Sequence, residues 1–205
     1  MQDRYYYEPS QGHGLPHDPL NAIIGPRPIG WISSQGREGH LNLAPFSFFN
    51  AFAYKPPIIG FSTTGRKDTL RNAEETGEFV WNLATRDLAE KMNITSATVS
   101  YETDEFKLAG LTPEPSRRVA PPRVKESPVH FECKVTQIVR LHDHRQQPAQ
   151  AWVVFGEVVA VHIASSLLKD GIFDTFAANV VLRAGGPTGY AAIRPDNRFD
   201  MTRPP

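Results

Sequence analysis

Apolar residues recur along this chain in two rhythms, and the shorter one dominates. In PVHFECKVTQIVRL, residues 128–141, Val129, Phe131, Cys133, Val135, Val139 and Leu141 alternate with His130, Glu132, Lys134, Thr136 and Arg140. Only Gln137 and Ile138 interrupt the pattern. A period of two predicts a strand with one buried face. AWVVFGEVVAVHI answers it beyond the polar tip HDHRQQPAQ, so two long antiparallel strands joined by a hairpin are expected. Upstream, PIGWISS (28–34) reads as a first strand and QGREGH as a Gly-rich turn. LNLAPFSFFNAFAY (41–54) reads as the hairpin partner, with Pro45 marking an edge or a bulge. PPIIGFST (56–63) and EFVWNLA (78–84) add two more strands.

The helical rhythm is brief. In KDTLRNAEET, Leu70 and Ala73 lie three apart among polar residues, Asp68 or Thr69 can cap the start, and Gly77 ends the segment. RDLAEKMN places Leu88 and Met92 on one helix face. Residues 93–128 carry five prolines, at 113, 115, 121, 122 and 128, and little periodicity. Phe106 and LAGL offer apolar anchors, so an ordered excursion with a role is expected, against a mobile surface insertion as the alternative. Residues 1–20 read as an extended arm, 21–194 as one domain and 195–205 as a tail. Five or six strands, two short helices and no βαβ rhythm predict a mainly β protein, an antiparallel barrel with helical decorations.

Composition narrows the picture. A chain of 205 residues buries roughly 70% of its unfolded surface, enough for a core without disulfide or metal staples. Eighteen prolines and fifteen glycines cut the apolar material into short pieces, which favours strands. Lys plus Arg equals Asp plus Glu at 22 each, which argues against nucleic acid as the main ligand. The single cysteine, Cys133, excludes an intrachain disulfide and fits a reducing compartment. No basic segment followed by an apolar one opens the chain, and no apolar run approaches the ~20 residues of a membrane helix. A soluble, cytoplasmic protein is therefore expected, with no membrane partner.

Most familiar catalytic motifs are missing. There is no G-x-x-x-x-G-K-[ST], G-x-G-x-x-G after a strand, H-E-x-x-H, C-x-x-C or G-x-S-x-G. His142 and His144 sit two apart at a hairpin tip and read as solvated turn residues, so no metal site is expected. Cys133 lies on the apolar side of its strand and reads as a small buried hydrophobe.

FSTTGRKDTLRN (61–72) is different. Ser62, Thr63, Thr64 and Thr69 supply hydroxyls, Gly65 a tight turn, and Arg66 and Lys67 charge, all before a helix start whose free amides favour an anion. Two readings stay open: a phosphate cradle, or ordinary solvated basic residues. Beside it, one strand through 46–52 would put Phe46, Phe48, Asn50 and Phe52 on one side and Ser47, Phe49 and Ala51 on the other. That surface is either a flat ring's binding site or simply a Phe-rich core with polar edges.

The run PRPIGWISSQGREGHLNLAPFSFFNAFAYKPPIIGFS, followed by GRKDTLRNAEETGEFVWNLA, resembles the flavin reductase-like family, of the flavoredoxin and oxygenase reductase-component type. MNITSA, DEFKLAGLTPEPSRRVAPPRVKESPVHFEC, GEVVAVHI and RAGGPTGYA follow in the same order, so the resemblance covers about residues 20–194. It implies an FMN-binding split barrel, a homodimer, and an NAD(P)H-dependent reductase of FMN, in preference to FAD, with a partner oxygenase as one destination for the electrons. The alternative is an FMN-binding electron carrier without NAD(P)H turnover of its own. By resemblance, Arg27, Pro28, Gly30, Trp31, Ser33 and Ser34 lie on the strand beside the flavin. Ser47, Phe48, Phe49 and Asn50 contact its ring and ribityl chain. Ser62, Thr63, Thr64, Arg66, Lys67, Asp68 and Thr69 hold the phosphate end, and Asn93 and Ser96 close over the cofactor, from the same subunit or the second one. His162 and Tyr190 fall on the reductant's side, with a satisfied barrel histidine as the other reading of His162. No acid–base pair is expected to be essential, because the flavin is the electron sink. VVLRAGGPTGYA follows the family's LARLGG-Y pattern only loosely, and 165–180 carries no usable signature.

Overall fold

The computed structural model describes residues 4–204. A single helical turn, α1 (Leu20–Ile23), precedes β1 (Arg27–Pro28), β2 (Gly30–Gln35), β3 (Leu41–Phe46), β4 (Phe49–Tyr54) and β5 (Pro57–Thr64). Next come α2 (Asp68–Thr76), β6 (Glu78–Asn82), α3 (Ala89–Ile94) and α4 (Glu105–Leu108). The short β7 (Pro113–Glu114) and β8 (Arg123–Val124) pair with each other before the long β9 (Val129–His142) and β10 (Pro148–Ile163). Four small strands end the list: β11 (Leu168–Lys169), β12 (Ile172–Phe173), β13 (Val181–Arg183) and β14 (Tyr190–Ala192).

Seven strands form one antiparallel sheet in the order β3-β2-β6-β9-β10-β5-β4. Its two edge strands are consecutive in the chain, with Ser47 and Phe48 alone between them. Seven strands laid flat would hold their edges about 29 Å apart at ~4.8 Å per spacing. Three residue steps reach only about 11 Å. The sheet must therefore curl until its edges meet at that corner, which makes a barrel. The mainly β, antiparallel expectation holds, with seven main strands where five or six were expected.

Successive residues of β2 serve two cores. Ile32 packs inside the barrel with Phe61, Phe79, Cys133 and Val154. Trp31 faces the other way, into a second cluster with Leu43, Met92, Phe106 and Val124. That second cluster orders the proline-rich excursion, as the Phe106 anchor predicts.

Three local expectations fail for identifiable reasons. Residues 41–54 are two strands, not one, because β3 pairs with β2 while β4 pairs with β5. The break reverses the expected facing. Phe46 and Phe49 pack against the core, whereas Phe48 and Phe52 are about half exposed, at 48% and 58%. The start of α2 is not capped by Asp68 or Thr69: Lys67 occupies the N-cap position and no side chain caps it. Gly77 does end the helix, in the left-handed conformation at φ 71°. In β9, Phe155 pairs with Gln137 but Gly156 with Val135, which leaves Thr136 as an extra residue. This bulge switches the inward phase, so Ile138 packs on the core while Val139 and Leu141 are exposed. The polar side of β9 is not solvated at its start either, since His130 and Glu132 are buried.

Gly156 lies where these strands cross the core. A Cβ there would stand 2.5 Å from the Phe79 ring and 3.1 Å from the Cys133 Cβ. Gly156→Ala is expected to cost about 1–3 kcal/mol by overpacking, read as a lower urea midpoint with unchanged slope.

Candidate functional site

β5 ends at Thr64, and the chain turns through Gly65, whose φ of 78° suits a residue without a side chain. The Gly65 amide donates to the Gln150 carbonyl at 2.9 Å, which fixes the turn against β10. Lys67 then enters α2 in an extended conformation. Because its side chain does not reach back, the amides of Asp68, Thr69 and Leu70 have no acceptor among the described residues. These free donors and the helix dipole concentrate positive potential at one spot.

A cavity of roughly 490 Å³ opens there. Ser62, Thr63, Thr64, Lys67, Asp68 and Thr69 line one side, and Ser47 and Phe48 another. Ser96 and the buried Thr95 contribute from the segment after α3. Among the described residues Lys67 is the cavity's one basic side chain, and it makes no ion pair. Asp68 and Glu105 supply two carboxyls, and burial pushes the pKa of each upward. A wall of hydroxyls and free amides with one cation suits a phosphate ester.

A buried amide network holds the cradle. The Asn42 Nδ2 donates to the Thr69 Oγ1 at 2.8 Å and the Ser34 Oγ at 3.2 Å, and the Asn72 Nδ2 donates to the same Ser34 oxygen at 3.1 Å. Ser33 donates to the Pro122 carbonyl at 2.5 Å, and the Trp31 Nε1 donates to the Thr95 Oγ1 at 3.0 Å. Trp31, Ser33 and Ser34 are wholly buried and stand behind the cavity instead of lining it: Trp31 holds Thr95, Ser34 shares the Asn42 amide with Thr69, and Ser33 ties β2 to Pro122. Gly30 makes room for Phe49: a Cβ there would meet that ring at 2.8 Å. Phe49 in turn stacks on Trp81, centroids 5.6 Å apart and planes 9° apart.

Arg27 governs the corner between β3 and β4. Buried to 8% exposure, it donates to the Ser47 carbonyl at 3.1 Å, the Ile24 carbonyl at 2.7 Å and the Asn21 carbonyl, and its guanidinium lies over the Phe48 ring. Burial, with the nearby Arg183 charge adding to it, lowers its pKa. Pro28 pairs with Leu182 at β13. Asn21, Arg27, Ser47 and Arg183 line a small cavity that shares Asn21 and Ser47 with the cradle, and a third, sharing Arg183, contains Asn93 and Tyr190. One run of linked hollows thus brings together most of the residues singled out in the sequence.

Five more stand apart from the cradle. Arg66 turns outward to Glu74 and the Trp152 ring, and Asn50 is exposed, its Oδ1 accepting the Ala51 amide at 2.9 Å. Asn93 and Tyr190 belong to the third hollow, where Tyr190 packs on Arg183 at 5.1 Å. His162 lies in a separate cavity beside His130, with its Nε2 2.6 Å from the Glu132 Oε1. His142 and His144 are exposed, and no cluster able to hold a metal occurs among the described residues. Cys133 is fully buried, and burial pushes its thiol pKa upward. Asn21 and Glu105 were not legible as site residues, because each arrives from a distant segment; Thr95 and Arg183 lie within MNITSA and RAGGPTGYA, and only the fold places them at the hollows.

Comparison with known proteins decides the family. Residues 25–178 match the family model described as a flavin reductase like domain. The chain belongs to the flavin reductase-like family. Membership in it supports a flavin-binding oxidoreductase. Component B of nitrilotriacetate monooxygenase from Bacillus cereus is 34% identical, with a TM-score of 0.82 over 89% of this chain and 90% of that one. The 2-nitrobenzoate 2-nitroreductase NbaA of Pseudomonas fluorescens is 30% identical, with a TM-score of 0.78 over 90% and 88%. A Shewanella frigidimarina structure described as a flavin reductase with a split barrel domain is 26% identical, with a TM-score of 0.76 over 91% and 89%. The split-barrel expectation holds.

His130 gives this fold a measurable acid sensitivity. Burial pushes its pKa from 6.5 down to about 4, with the Val124 carbonyl bond acting in the opposite direction. Between those values the unfolded chain binds a proton at this site that the folded chain does not, so stability is full above 6.5 and falls toward pH 4. The interval corresponds to about 3 kcal/mol. Urea unfolding at pH 7 and 4 should show His130→Gln losing that much less stability than wild type; equal losses would refute the assignment.

Proposed function

We propose that this protein is an NAD(P)H-dependent FMN reductase whose flavin phosphate sits at the start of α2. The observation that carries the reading is the uncapped helix N-terminus opening into a cavity lined by Ser62, Thr63, Thr64, Lys67 and Thr69. Bound flavin supplies the electron sink for hydride from the nicotinamide. The chain's own residues bind and orient. The free amides of α2 and the Lys67 ammonium hold a phosphate. Ser47 and Phe48, locked in place by Arg27, present a polar and apolar edge for a flat ring. FMN is the flavin of this reading, in preference to FAD.

The remaining roles belong to the same proposal. Asn93, Ser96 and Tyr190 border the run of hollows through which a reductant would approach. The exposed Ile23, Ile24, Phe48 and Phe52 form an apolar patch beside Arg27, which supports a homodimer that covers it. The likeness to a monooxygenase component supports an oxygenase as one recipient of the electrons. The reading places the protein in the cytoplasm; no helix among the described residues is long and apolar enough to cross a membrane.

The test is an anaerobic visible spectrum of protein with FMN, before and after NADH or NADPH. A protein-perturbed flavin band that bleaches with either donor is the expected result, and a band that bleaches with neither favours an electron carrier. Lys67→Ala should weaken FMN binding by about tenfold, the scale of one lost charge-assisted contact. Cys133→Ser should leave flavin content and turnover intact. Flavin loss in the cysteine variant with the lysine variant unchanged would reverse the assignment.

A further inference from the structure

The cavity that holds His162 has a volume of about 620 Å³ and shares no lining residue with the cradle. A single row across the sheet links the two: Pro45, Trp31, Asn82, His130 and His162 are successive cross-strand partners. Four strand spacings put about 19 Å of sheet between its ends.

Glu132 organises this second cavity. Its carboxylate is fully buried and accepts the Arg117 amide at 2.9 Å, the Arg118 amide at 2.6 Å and the His162 Nε2 at 2.6 Å. Burial works against the charge, yet these bonds hold its pKa low. The carboxylate is thereby consumed in fixing backbone. The Arg117 and Arg118 side chains are exposed at the cavity and make no ion pair among the described residues.

Two deeper atoms lack partners. His130, at 4% exposure, has its Nε2 2.8 Å from the Val124 carbonyl. A carbonyl only accepts, so Nε2 carries the hydrogen and Nδ1 is left as a bare acceptor. That Nδ1 is buried without any hydrogen-bond partner, and so is the Nε of Arg123, whose terminal nitrogen is held by Glu114 at 2.9 Å. One atom wants a donor and the other an acceptor. A hydroxyl is both.

We propose that this cavity is a second ligand site, which takes a phosphorylated sugar. Arg117 and Arg118 hold the phosphate, and a neighbouring sugar hydroxyl donates to the His130 Nδ1 and accepts from the Arg123 Nε. Two sources share that chemistry: a free sugar phosphate or mononucleotide, and the 2′-phosphorylated ribose of NADPH. The site does not depend on the flavin reading, since its residues are separate.

Titration calorimetry with the full chain, saturated with FMN, tests it. Ribose 5-phosphate should bind, and inorganic phosphate and ribose should each bind at least tenfold more weakly. Arg117→Ala/Arg118→Ala, two exposed side chains whose removal leaves the Glu132 bonds to backbone in place, should weaken ribose 5-phosphate at least tenfold with an unchanged circular dichroism spectrum. NADP+ and NAD+, which carry the same ribose difference but no hydride for the bound FMN, then separate the sources. A tenfold loss for NADP+ alone in the double variant identifies the dinucleotide, and no change for either identifies a free phosphorylated ligand. Ribose 5-phosphate binding that no more than matches inorganic phosphate, or that survives the double variant, overturns the proposal. FMN retention measured on the same samples keeps this outcome distinct from a failure of the cradle.

Discussion

The whole molecule turns on a corner of two residues. Ser47 and Phe48 carry the chain from one edge of a seven-stranded sheet to the other, and so force the sheet to close on itself. Closure alone would leave that corner loose. Arg27 fastens it, binding the Ser47 carbonyl and the α1 turn while covering Phe48. The same closure lays β5 and the start of α2 beside the corner, as the bond from the Ser62 amide to the Phe48 carbonyl at 2.8 Å shows. The cradle is thus built where the barrel shuts. A buried arginine that faces other carbonyls cannot easily be replaced by lysine, which lacks the planar set of donors.

Much of this was legible in the sequence, and the rest was hidden for physical reasons. Leu70, Ala73 and Gly77 announce α2 because a short helix is decided locally. Alternation in 128–141 announces β9, and the interruption at Gln137 and Ile138 falls beside the bulge. Phe46, Phe48 and Phe52 misled because their spacing continues smoothly through a corner that only long-range pairing creates. His130 and Glu132 look like a solvated face, since nothing nearby reveals that the loop around Arg117 folds over them. The hydroxyls of 62–64 and 69 pointed correctly to the cradle. Trp31, Ser33 and Ser34 sit in an equally suggestive run, yet their roles are to support, and burial alone separates the two cases.

The polar groups inside this protein are arranged as connectors between elements. Asn82 donates to the Trp31 carbonyl at 3.1 Å and accepts the Val124 amide at 2.8 Å, so one side chain ties β6 to β2 and β8. Asn42, Ser34, Asn72 and Thr69 do the same for α2. Such bonds contribute little net energy one at a time, but each buried group left unpaired is costly. They therefore select one arrangement of strands and helix over its neighbours, and hold the cradle hydroxyls at fixed positions.

The free edge of β3 carries a last consequence. Outward-facing backbone along an edge strand is an invitation for another chain to add a strand. Here the Leu43 amide is already taken by the Glu105 Oε2 at 3.1 Å, and two residues on Pro45 has no amide to offer. The opposite edge, β4, is broken by a bulge between Ala51 and Ala53, with the Ala51 amide held by Asn50. Each lip of the barrel is thus interrupted as a template for an added strand, by a side chain on its backbone amide and by a proline or a bulge.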